Sequence, residues 1–141
     1  MNKLLGSLGM ALAVSFSGAA LAGVCTKENV QGHYVVEASS HEDNYYYSGD
    51  GLYRISLNKF GKGKVTAYAE SFGGELYADA VSWPIEWDVA ADCTGYVFID
   101  NGQGGVEGFF VVSGNKVTPV LNGVLADGET SGRMRAEKIR F

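Results

Sequence analysis

The chain has 141 residues, 46% of them hydrophobic, with 11 basic side chains against 16 acidic ones and a net charge of −5. That length suits one domain with its own core, and the acidic balance disfavours nucleic acid and anionic membrane surfaces, which call for basic patches. Twenty glycines and two prolines, with no long helix-period apolar stretch after residue 22, point to an all-β chain rich in turns.

The chain opens MNKLLGSLGMALAVSFSGAALAG. Lys3 precedes an apolar run that ends in the small-x-small triplet Ala20-Leu21-Ala22, the pattern of a secretory signal peptide over residues 1–22. The run is shorter than the roughly 20 residues a membrane span needs and lacks charged stop-transfer flanks. No membrane insertion is expected after cleavage, and a periplasmic or secreted location is. Gly23 and Val24 separate the triplet from Cys25, which argues against lipidation. Residues 23–141 then form a single domain with 10 basic residues against 16 acidic ones, a net charge of −6. Its two cysteines, Cys25 and Cys93, read as one disulfide in an oxidising compartment. It would staple the new N-terminus to the turn at residues 91–95. There is no C-x-x-C spacing for a redox or zinc site, and no metal or cofactor is expected.

Strands follow in chain order. HYVVEA (33–38) is the first. GLYRISLN (51–58) puts Tyr53, Ile55 and Leu57 on one face. KVTAYAE (64–70) groups Val65, Ala67 and Ala69, and the Gly-rich link KFGKG makes a hairpin with the preceding strand. ELYADAV (75–81) either extends the next strand or stands alone. SWPIEWDVA (82–90) alternates most clearly, with Trp83, Ile85, Trp87 and Val89 opposite Ser82, Pro84, Glu86 and Asp88. Pro84 cannot donate a ladder bond and marks a bulge or strand edge. YVFID (96–100) leaves the Cys93 turn. GVEGFFVVS (105–113) and KVTPVLN (116–122) are joined by the two-residue hairpin signal Gly114-Asn115. In SGRMRAEKIRF (131–141), Met134 and Ala136 oppose Ile139 and Phe141 in parity, so a bulge is expected near Glu137-Lys138.

About eight short strands in succession favour an antiparallel up-and-down barrel, whose closure removes exposed edges; a two-sheet β-sandwich also fits the spacing. A barrel of this size is filled by side chains or holds one small ligand.

The stretches W-D-V-A-A-D-C-T-G-Y-V-F, G-F-F-V-V-S-G-N-K-V and D-G-E-T-S-G-R-M-R resemble a group of small secreted bacterial and fungal proteins. Those carry a Y-x-V-x-x-D-C-T-G-x-L turn, from which this chain departs at Trp87 and Val97. The resemblance implies a calycin-like barrel of the allene oxide cyclase-like type, a type that includes cyclases working on apolar substrates in the lumen. The shared residues are turn residues and a cysteine, and no catalytic residue carries over.

The inward set Tyr53, Ile55, Leu57, Trp83, Ile85 and Trp87 reads as core packing or as the aromatic lining of a ligand pocket. The loop SSHEDNYYYSGDG (39–51) offers His41, Glu42, Asp43 and Asp50 as oxygen and nitrogen donors without calcium-loop spacing. Its consecutive Tyr45, Tyr46 and Tyr47 cannot all face inward and could form a contact patch. His33 has no partner fixed by spacing among Glu70, Glu86 and Glu107. Ser113 and Ser131 lack a nucleophile-elbow context, and DNGQGG (100–105) reads as a turn. Three functions stay open. One is an exported non-enzymatic barrel binding a small apolar or aromatic ligand, or a protein partner. Another is an allene oxide cyclase-like enzyme. The third is a surface or inhibitor-like protein using the loop 39–50.

Overall fold

The computed structural model describes residues 25–42, 48–72, 75–78 and 80–139. A short helix, α1 (Lys27–Val30), precedes nine strands: β1 (Gly32–Glu42), β2 (Ser48–Leu57), β3 (Lys62–Phe72), β4 (Glu75–Tyr77), β5 (Val81–Val89), β6 (Thr94–Ile99), β7 (Val106–Gly114), β8 (Pro119–Ala126) and β9 (Thr130–Lys138). Every strand pairs antiparallel with its neighbours. Because β1 pairs with both β2 and β9, and β2 with β3, the sheet closes into an eight-stranded barrel, with β4 as an extra strand on the upper end of β3. Closure removes the two-sheet alternative.

The meander gives the barrel two unlike ends. The lower end carries α1 and the turns at 58–61, 90–93 and 115–118; the upper end carries the turns at 100–105 and 127–129 and the strand β4. Thr26 caps α1, its hydroxyl accepting from Asn29 N–H at 3.1 Å; a side-chain acceptor here satisfies a donor the first turn leaves open. The helix seats Val30, only 1% exposed, at the base. The Tyr34 hydroxyl, fully buried in β1, donates to the Val30 carbonyl. The Trp87 indole N–H bridges the carbonyls of Asn58 at 3.1 Å and Lys62 at 3.2 Å.

Cys25 and Cys93 form the expected disulfide, with their Cα atoms 5.1 Å apart. Between the hydrogen-bonded residues Ala90 and Thr94 lies a three-residue loop whose last member, Cys93, has φ of 70°. Such loops need a left-handed residue there, normally glycine. Here the position carries the sulfur that bonds Cys25. Asp92 fixes the turn by accepting from the Thr94 N–H at 3.0 Å and hydroxyl at 2.6 Å.

Several local readings change. Of the two readings of ELYADAV, the separate strand holds: β4 stands apart on β3, and only Val81 joins the tryptophan strand. The link after Gly114 holds four residues rather than two; Asn115 accepts from the backbone of Val117 and Thr118, and Gly114 faces Pro119. No bulge falls at Glu137-Lys138. The β9 register runs unbroken to Lys138, and Ile139 N–H then bonds the His33 carbonyl. Pro84 marks neither a bulge nor an edge: it pairs with Lys64 of β3, and its carbonyl accepts from Asp100 N–H at 3.0 Å just beyond the β5–β6 ladder. A bulge does occur in β3, where Leu52 faces Ala69 but Tyr53 faces Ala67, leaving Tyr68 as the extra residue.

Candidate functional site

The lower and upper halves of the lumen differ. Below, Tyr34, Leu57, Ile85, Trp87, Phe110 and Leu121 are buried together in one cluster. Above, the lumen is hollow. A cavity of about 550 Å³ is lined from all eight barrel strands and reaches the upper rim at Asn101, Asp127 and Thr130. Its apolar walls include Val36, Ile55, Val65, Ile99, Leu125 and Met134, together with Trp83. The six inward residues read from the sequence therefore divide. Tyr53, Ile55 and Trp83 line the cavity, whereas Leu57, Ile85 and Trp87 belong to the packed base. Trp83 is only partly buried, in contrast to Trp87 at 3% exposure.

The bulge at Tyr68 decides the chemistry of this space. Alternation from Val65 and Ala67 would continue to Ala69 and leave Glu70 outside. One extra residue reverses the parity, so Ala69 faces Leu52 and Glu70 faces Gly51, on the luminal side; re-aiming a side chain is a typical consequence of a bulge. Tyr68 instead lies outside, half exposed, with the Arg54 guanidinium 5.7 Å from its ring centre. Inside, the Tyr53 hydroxyl donates to Glu70 Oε1 at 2.8 Å. Gly51 makes this possible, since a methyl group built there would overlap the Tyr53 phenol. Burial raises the Tyr53 pKa well above the ordinary tyrosine value, and the bond to Glu70 and its negative charge raise it further. The phenol thus stays protonated and acts as a donor at neutral pH.

Other candidates lie elsewhere. His33 is exposed on the outer face of β1 opposite Ser56. Glu86 and Asp88 are also outside, paired with Lys62 at 2.5 Å and Lys27 at 3.5 Å. Glu107 accepts from the exposed Tyr96 hydroxyl at 3.4 Å. Asp127 accepts from Thr130 N–H at 2.7 Å and Glu129 N–H at 2.9 Å, and those backbone donors, Thr130 foremost, hold its carboxyl below its ordinary value. Tyr45, Tyr46, Tyr47 and Asp43 lie outside the described residues. Among the described residues no three His, Cys, Asp or Glu side chains gather as a metal site. Also among them, no helix is long and apolar enough to cross a membrane.

No protein-family model matches the chain, and no curated protein is significantly similar to it. Two solved structures are similar to it. One is the S-type phycobiliprotein lyase CPES from Guillardia theta, at a TM-score of 0.50 and 9% identity, covering 85% of this chain and 96% of that one. The other is EF1p2_mFAP2b bound to DFHBI, at a TM-score of 0.44 and 7% identity, covering 86% of this chain and 99% of that one. At this identity the likeness to the lyase is one of fold.

Proposed function

We propose that the chain is an exported calycin-like barrel that binds one small apolar or aromatic ligand in its upper lumen. The observation that carries the reading is the half-hollow interior, about 550 Å³ of apolar-walled space above a tightly packed base. Small-molecule sites commonly measure about 300–1,000 Å³, mostly apolar with a few placed polar groups. Tyr53 and Glu70 are such groups. The phycobiliprotein lyase adds a parallel in barrel fold alone.

Export is supported by the signal-like residues 1–22 and by the Cys25–Cys93 disulfide, which suits an oxidising compartment. Exposed mid-strand charges on the outer wall, at Arg54, Lys64, Glu86, Arg133 and Arg135, combine with an apolar lumen. That is the reverse of a membrane-spanning barrel.

Titration of the exported protein with pyrenemethanol, a neutral aromatic probe, tests the reading through energy transfer from Trp83. Saturable one-to-one binding is expected. Absence of saturable binding, together with native mass spectra free of any co-purified molecule, would overturn it.

One observation favours a second reading, an allene oxide cyclase-like catalyst: the Glu70 carboxylate turned into the lumen beside a phenol donor. A positioned carboxylate can move a proton on a bound substrate. The two readings separate on the recovered ligand, which a binder returns unchanged and an enzyme converts.

A further inference from the structure

We propose that the upper chamber selects positively charged ligands, an apolar or aromatic body bearing an ammonium-like group seated at Glu70. This rests on the chamber being a ligand site, and it names the class of ligand.

Three observations carry it. The bulge at Tyr68 turns Glu70 into the cavity, and the Tyr53 hydroxyl occupies only one position on the carboxylate. An ionised carboxylate accepts at about four lone-pair sites, so most of its capacity is left for a ligand. Second, the described residues lining the cavity include no Lys, Arg or His. A ligand carboxylate or phosphate would be stripped of water beside Glu70 with no cation to compensate it, which is strongly unfavourable. A cationic group finds the opposite situation, a charged acceptor in surroundings that strengthen the attraction. Third, Tyr53 and Trp83 stand on one wall, with β3 between their strands through the pairs Tyr53–Ala67 and Val65–Trp83. Aromatic faces of this kind attract cations and also cover flat apolar bodies.

A matched set of probes with one aromatic body tests the proposal: pyrenemethylamine, pyrenemethanol and pyrenecarboxylic acid, each titrated against the full exported protein at neutral pH. The amine is expected to bind about tenfold tighter than the alcohol, and the acid weakest. In Glu70→Gln the ratio of amine to alcohol affinity should fall to near one. In Tyr53→Phe, which keeps the carboxylate, the ratio should stay high. Equal binding of amine and alcohol to the wild-type protein would overturn the charge selection while leaving the chamber as a ligand site. Tightest binding of the acid, or an amine preference that survives Glu70→Gln, would overturn it as well. Failure of all three probes would overturn this proposal together with the reading beneath it. Because the wild-type ratio decides without any variant, a variant that does not fold leaves the test intact.

Discussion

The Tyr53 hydroxyl and the Glu70 carboxylate meet at 2.8 Å inside the barrel, joined across the β2–β3 ladder just above the bulge that brings Glu70 inward. The contact requires Gly51, over which the phenol ring folds. Gly51→Val should therefore displace Tyr53 and break the bond. Overpacking of this kind costs about 1–3 kcal/mol, measurable by denaturant unfolding. The absorbance titration of the tyrosines should also shift one phenol toward the ordinary range.

The same pair makes an alkaline limit on stability. Burial raises Tyr53 above the ordinary value of 10.0, with Glu70 adding to the effect, and burial alone raises Tyr34. In both, the folded state favours the neutral phenol, so the stabilisation is fully present below pH 10 and is lost as the pH rises above it. Urea midpoints should fall beyond about pH 10. Tyr53→Phe should fall less steeply than the wild-type protein, and an equal slope would remove Tyr53 as a contributor.

The two tryptophans should behave differently. Trp87 is 3% exposed in the packed base and donates to two carbonyls. Trp87→Ala should cost about 3–5 kcal/mol. Trp83 borders the chamber, so Trp83→Ala should cost less stability and more affinity for an aromatic probe. In single-tryptophan variants, aqueous acrylamide should quench Trp83 and spare Trp87. The sequence alone does not separate the two indoles, because alternation assigns a face and not a depth.

That distinction marks how far the sequence can be read. Strict alternation placed Tyr53, Ile55 and Leu57, and Trp83, Ile85 and Trp87, on the inner wall, and the structure has them there. Whether each faces side chains or empty space depends on what crosses the lumen from other strands, and no single strand records that. Glu70 escaped because KVTAYAE alternates regularly, with Val65, Ala67 and Ala69 on one face, and that pattern leaves Glu70 outside. The only local hint of the bulge is Tyr68, an aromatic on the outer face beside Arg54. The helix α1 is too short to show a period, although the run Thr26-Lys27-Glu28-Asn29 carries its cap.

The disulfide holds the lower closure. It joins residues 68 apart in sequence, and closing a loop of that size stabilises by about 4 kcal/mol in the chain-entropy model. Alkylation of the exported protein should label no cysteine without reductant and both with it. Cys25→Ser with Cys93→Ser should lower stability by about that amount; free thiols in the exported protein would remove both the bond and the compartment argument.

The central claim is that the upper lumen is where a ligand binds, and filling that space tests it most directly. Ala38 lines the chamber from β1, and Ala38→Phe would place a ring in it. Titration of this variant with pyrenemethanol should show binding reduced by about tenfold or more while the fold is retained by circular dichroism. Unchanged affinity in a folded Ala38→Phe protein would contradict the account and move the site out of the lumen.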